Sequence, residues 1–200
     1  MKFEPASPTH ITTMKPAALF ALAGAIMLTV MKSQSADLPD TVTVRLVEPN
    51  GDPGAPTPVP TVKKTDAEWR KQLGDKAYEV LRAKGTEPAF CGTLLDNHKE
   101  GVYFCAACDL PLFTSRSKFD SGTGWPSFFA PFAKENVVEV SDTSYGMDRT
   151  EILCARCGGH LGHVFDDGPA PTHLRFCLNS VSLKFRTFEE IKADAEKKKP

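Results

Sequence analysis

The sequence has almost no excess of charge of either sign. Against 24 Lys and Arg stand 25 Asp and Glu, a formal net charge of −1. Such a chain offers no bulk electrostatic attraction to nucleic acid, and no partner of that class is expected. Cysteine is scarce for a disulfide-knit scaffold: six in 200 residues do not make the dense framework of small secreted domains. No internal repeat is visible. The one long uncharged apolar run, residues 16–31, falls short of the roughly 20 residues a spanning helix needs. What is present is ordinary for a folded chain. With 41% hydrophobic and 24% charged residues, wholesale disorder is ruled out. The length suits one domain with extensions, or two small domains.

Three stretches differ in character. Residues 1–36 carry the apolar run behind Lys15, followed by small residues at Ser33, Ser35 and Ala36. That is the pattern of an export signal, with Met14 as an alternative start. Lys15 and Lys32 flank the run and would also suit an uncleaved membrane tether. A buried helix of a soluble protein is the third reading. Residues 37–63 read as a Pro-rich linker, with Pro49, Pro53, Pro56, Pro58 and Pro60 close together. Thr41–Val47 alternates like a strand but shows no partner. Residues 64–200 form the expected domain. Thr65 and Glu68 make a capping box, Gly74 stops the helix, and Asp75 opens a second one ending at Gly85. Short β-branched and aromatic runs then alternate with Gly and Pro. The prediction is a mainly β domain: antiparallel sheets with two short N-terminal helices and a closing helix near Glu189–Glu196.

Four cysteines carry the strongest spacing signal. Cys105 and Cys108, then Cys154 and Cys157, form two C-x-x-C pairs. Two such knuckles supply a tetrahedral tetrathiolate, the usual structural zinc site, which leaves no position open for catalysis. Structural disulfides are the competing reading for an exported chain. A redox C-x-x-C would need a βαβ context, and a c-type haem would need His where Asp109 and Gly158 stand.

Cys91 and Cys177 remain. A lone cysteine is often an inert hydrophobe. Cys177, however, has Arg175 two residues before it and Asn179 two after, all on one face of a strand. A guanidinium favours thiolate, the nucleophilic form. The amide of Asn179 can donate to an oxygen. His160 and His163 lie among glycines, and beside a thiolate a histidine is a plausible proton donor. Trp125, between Gly124 and Pro126, sits on a turn, where it either packs inward or walls a shallow apolar pocket.

Together Cys105-x-x-Cys108, Gly122-Thr-Gly-Trp-Pro-Ser-Phe128, Cys154-x-x-Cys157-Gly-Gly-His-Leu-Gly-His163 and Arg175-Phe-Cys-Leu-Asn-Ser180 resemble the methionine sulfoxide reductase B family. The likeness runs in unbroken order over roughly residues 64–187. It implies two antiparallel sheets, a structural zinc distant from the chemistry, and reduction of the R epimer of methionine sulfoxide, free or within oxidised proteins. It implies that Cys177 is the nucleophile and that Trp125 packs on the substrate methyl. It also implies that His160, His163 and Asn179 hold the sulfoxide oxygen or a water, supported by Arg175 and Asp167. Many members carry a recycling cysteine where this chain has Thr123. The resemblance therefore points to Cys91 as the recycling thiol, forming a disulfide with Cys177 that thioredoxin or a similar dithiol reduces; an external thiol is the alternative. A monomer is expected. The rival functions are a non-catalytic zinc-ribbon-like interaction module and a metal-dependent hydrolase using His160 and His163.

Overall fold

The computed structural model describes residues 38–197. The leader reading of residues 1–36 lies outside the described residues. Among those described, no helix is long and apolar enough to cross a membrane.

The first described element corrects the linker reading. Strand β1 (Thr41–Val47) pairs antiparallel with β2 (Pro53–Pro60), and the hairpin is packed onto the domain. Val44 is completely buried in the main core, with Val42 and Val59 against it. Burying one such side chain stabilises by about 1.5–3 kcal/mol. Asn136 clamps the hairpin, accepting from Arg45 N at 2.8 Å and donating to Arg45 O at 2.8 Å and to Pro111 O at 2.7 Å. The prolines hid this strand, yet they fit it. Pro56, Pro58 and Pro60 face Arg45, Thr43 and Thr41. Proline is tolerated on an edge strand whose missing N–H points away from the partner.

Helix α1 (Asp66–Leu81) opens with the expected capping box, Thr65 and Glu68 satisfying each other's backbone donors. The two helices read from the sequence are one helical run with a break at Gly74 (φ 71°, ψ 169°), a conformation glycine adopts without a Cβ clash. Trp69, Tyr78 and Leu81 are buried.

A six-stranded antiparallel sheet follows the order β5-β6-β10-β9-β8-β7. Its members are β5 (Lys118–Phe119), β6 (Ser127–Phe128), β7 (Val137–Asp142), β8 (Arg149–Cys154), β9 (His160–Phe165) and β10 (Arg175–Leu178). A three-stranded sheet has the order β11-β3-β4, from β3 (Gly101–Cys105), β4 (Pro111–Thr114) and β11 (Leu183–Thr187). With the hairpin that makes three sheets among the described residues, where two were expected. Aromatic rings join the two larger ones. Tyr103 on β3 meets Phe128 on β6 edge-on at 4.9 Å, and Phe113 on β4 meets Phe128 at 4.7 Å and Phe176 on β10 at 5.6 Å. Strand β3 is buried on both faces. Tyr103 and Cys105 turn to this core, while Val102 and Phe104 turn to a second cluster with Ile191 of helix α2 (Phe188–Lys197).

Candidate active site and metal centre

The knuckle cysteines sit where β3 and β8 end, so each larger sheet contributes one pair. Both knuckles are built alike. Asp109 (φ 58°) and Gly158 (φ 66°) take left-handed backbone, and their N–H groups donate to Cys105 O and Cys154 O at 2.9 and 2.8 Å. The four sulfurs lie within 4.8 Å of one another. Cys105 Sγ is 3.7 Å from Cys157 Sγ, and Cys108 Sγ is 3.5 Å from Cys154 Sγ. A tetrahedral site with Zn–S bonds of 2.3 Å needs sulfurs about 3.8 Å apart, and all four are free thiols. The donor set therefore fits a soft metal ion, and no disulfide competes for it. Burial and the neighbouring sulfurs push the Cys154 thiol well up; a bound cation reverses that preference. Helix α1 lies over both knuckles, Gln72 Nε2 donating to Ala107 O and Arg82 Nη1 to Cys157 O.

A second site forms on β9 and β10. Cys177 stands directly opposite His163 in the antiparallel register and opposite Ser127 on the other side. Facing residues of neighbouring strands share a sheet face, so the three side chains converge. His160 and His163 are three apart, which in a regular strand would send them to opposite faces. A bulge corrects this: Leu153 faces His160 while Ile152 faces Gly162, leaving Leu161 extra. The two imidazoles come within 5.5 Å. Gly162 is required here, because a side-chain carbon would collide with the carbonyl of Cys177.

Each histidine has a carboxylate. His160 is buried and its Nδ1 is 2.7 Å from Glu151 Oε1, with Lys84 Nζ 2.7 Å from the other oxygen. His163 Nε2 is 2.9 Å from Asp142 Oδ2, which Arg149 Nη2 also holds at 2.7 Å. Arg175 forks onto Asp167 with bonds of 2.8 and 2.9 Å and lies over the Phe165 ring. Thr123 Oγ1 is 3.8 Å from Cys177 Sγ and is joined through Ser121 to Ser127 by bonds of 2.8 and 2.7 Å.

One buried residue holds this arrangement together and carries no sequence signal. Glu87 accepts from Ser180 N at 2.5 Å and from Val181 N at 3.2 Å. Its backbone N donates to Asn179 Oδ1, and its carbonyl accepts from Trp125 Nε1 at 3.0 Å. The loop that follows carries Cys91, which is exposed. Phe90 N donates to Gly124 O at 2.9 Å, and the Phe90 ring lies against Gly124, beside Thr123.

A family model described as the SelR domain matches residues 73–187. The chain belongs to this family. Proteins called peptide methionine sulfoxide reductase MsrB are similar to this chain. That of Hahella chejuensis is 58% identical over 126 residues, covering 63% of this chain and 91% of the relative. That of Leptospira interrogans is 56% identical over 125 residues, covering 62% and 95%. That of Methanosarcina barkeri is 55% identical over 136 residues, covering 68% and 96%. The MsrB family to which the chain thus belongs is one of oxidoreductases. The hairpin β1–β2 precedes the matched region.

Arg175, Cys177, His160, His163, Thr123 and Ser127 gather at one site. Three expectations change. Asn179 falls beyond the end of β10, and its amide is engaged by Glu87 N and Leu161 O. The Cys177 thiol is not ionised at rest: burial pushes it up more than Thr123, Arg175 and Ser127 pull it down. His163 is not poised as a cation, since burial lowers its basicity and Arg149 and His160 add to this against the pull of Asp142.

Proposed function

We propose that this chain reduces the R epimer of methionine sulfoxide, with Cys177 as nucleophile and Cys91 as recycling thiol. The observation that carries the reading is the register pairing of Cys177 with His163, beside the Arg175–Asp167 fork.

The protonation states suit the chemistry. A thiol and a sulfoxide give a sulfenic acid and a thioether, so no net proton is taken up. The Cys177 S–H proton ends on the oxygen that the sulfur receives. A neutral histidine serves such a transfer: His163 takes the thiol proton as the Cys177 sulfur engages the sulfoxide, and returns it to the oxygen as the substrate S–O bond breaks and the Cys177 S–O bond forms. The Arg175 guanidinium and the Thr123 hydroxyl stabilise the transient thiolate. The Trp125 ring, tethered through its N–H to Glu87, offers the substrate methyl an apolar wall. Next the Cys91 thiol attacks the sulfenic acid, an S–S bond forms and water leaves. The Cys91 loop is anchored at Glu87 and again where Leu94 N donates to Ser180 Oγ, and between these it rests on Gly124 through Phe90. A dithiol of the thioredoxin type then restores both thiols. Cys105, Cys108, Cys154 and Cys157 would hold a structural zinc that pins the two larger sheets together. We further propose that the protein works as a single chain and is exported, on the leader pattern of residues 16–31.

The test is an epimer-resolved assay on the full chain, pre-reduced and then freed of reductant. The wild type should form methionine from the R epimer alone. Cys177→Ser should form none. Without reductant both the wild type and Cys91→Ser should form one methionine per chain; on adding thioredoxin the wild type should continue and Cys91→Ser should not. A Cys91→Ser variant that cycles with thioredoxin as the wild type does would remove Cys91 from the scheme.

A further inference from the structure

We propose that Asp142, braced by Arg149, is a positioning residue that fixes the His163 imidazole with its Nε2 hydrogen turned away from Cys177 and its Nδ1 lone pair free for proton transfer. This rests on the reductase reading above.

The geometry is specific. Asp142 ends β7 and Arg149 begins β8; they face each other in the register, and the turn between them spans residues 143–148. Arg149 Nη2 grips Asp142 Oδ2, and Ser144 N donates to Asp142 Oδ1 at 3.0 Å. The carboxylate is thus held from two sides before it meets His163 Nε2. Hydrogen bonds from the Ser144 hydroxyl, the His163 ring and the Ser144 N–H, with a smaller part from the Arg149 charge, keep Asp142 ionised far below the usual carboxylate range. An ionised carboxylate only accepts, so Nε2 must carry the hydrogen. In a neutral imidazole, Nδ1 is then bare. Nothing in the sequence marks this pair, because Asp142 and Arg149 flank a turn where charged residues are usually solvated.

The groups around His163 are few. On its own strand stand His160 and Phe165; on β8, Arg149 and Glu151, the latter directly opposite in register; on β7, Asp142; on β10, Cys177 and, two residues along the same face, Arg175. Of these, Asp142 alone hydrogen-bonds the His163 ring among the described residues.

Two measurements on the full chain test the proposal. Nitrogen NMR of His163 in the wild type, without substrate, should show at neutral pH a neutral ring with Nε2 protonated and Nδ1 bare. The opposite tautomer would overturn the proposal. Single-turnover methionine formation should fall about tenfold or more in Asp142→Ala, with the substrate concentration for half-maximal rate changed less than about threefold. Asp142→Asn keeps an acceptor but removes the negative charge that supports the imidazolium. It should move the acid-side loss of activity to lower pH, a shift that a merely structural residue would not cause. A single-turnover rate within about twofold of wild type and an unmoved acid limb in Asp142→Asn would also sink the proposal, and this variant decides if Asp142→Ala fails to fold. A wild type inactive on both sulfoxide epimers would overturn the reductase reading; the tautomer measurement still judges the orientation of His163.

Discussion

The protein contains two cysteine environments in which burial acts the same way and the surroundings answer differently. At the knuckles, four sulfurs crowd one another, and burial with mutual proximity drives the Cys154 thiol up. Only a shared cation relieves that, and it does so permanently. At Cys177, burial also drives the thiol up, but the surroundings are two hydroxyls, a guanidinium and an imidazole. The hydroxyls and the guanidinium offset part of the effect without removing it, so the sulfur keeps its proton until substrate arrives. Under the proposed function, a metal at the first would commit thiolates to structure, and the second would hold a thiol in reserve for chemistry. The chain passes from one to the other with only Gly158 and Gly159 between Cys157 and β9.

Breaking the knuckles should have the largest effect. Cys157→Ser leaves three thiolates, and we expect loss of the metal and of most of the domain's stability, on the order of 10 kcal/mol for small structural zinc sites. Metal content and thermal melting read this out, and chelation of the wild type should mimic it. By contrast, Cys177→Ser should leave melting within about 0.5 kcal/mol. Arg175→Gln comes next: without the guanidinium the Cys177 thiol ionises at still higher pH. Alkylation of Cys177 at pH 7 should slow by about three- to tenfold. The sign follows from the acid involved, since raising a thiol's pKa lowers its thiolate fraction at every pH below it. In the wild type, alkylation should keep accelerating as pH rises past the ordinary thiol range. Thr123→Val removes one hydroxyl from the sulfur and should slow alkylation least, by about twofold.

Much of this was legible in the sequence because it depends on spacing. C-x-x-C pairs place ligands wherever the knuckles lie, and the Arg175–Cys177 interval places both on one strand face. Other features depend on partners distant in the chain. Glu87 looks like a loop residue until it meets Ser180, and the Asp142–His163 bond spans a hairpin and a bulge. Protonation states were misread for a related reason. The sequence shows Arg175 beside Cys177 but not the burial that outweighs it. The β1–β2 hairpin was missed because five prolines argue for a spacer, and only a packed strand such as β1, with Val44 in the core, reveals that they occupy an edge.

Under the proposed function, where oxidised proteins are among the substrates, that edge has a consequence. Damaged chains expose strands that seek a hydrogen-bonding template, and an open β-rim invites them to zip on. At Pro56, Pro58 and Pro60 the rim of β2 has no amide hydrogen to offer, so a client cannot extend this sheet. The repairer can handle unravelling molecules without seeding their aggregation along that side.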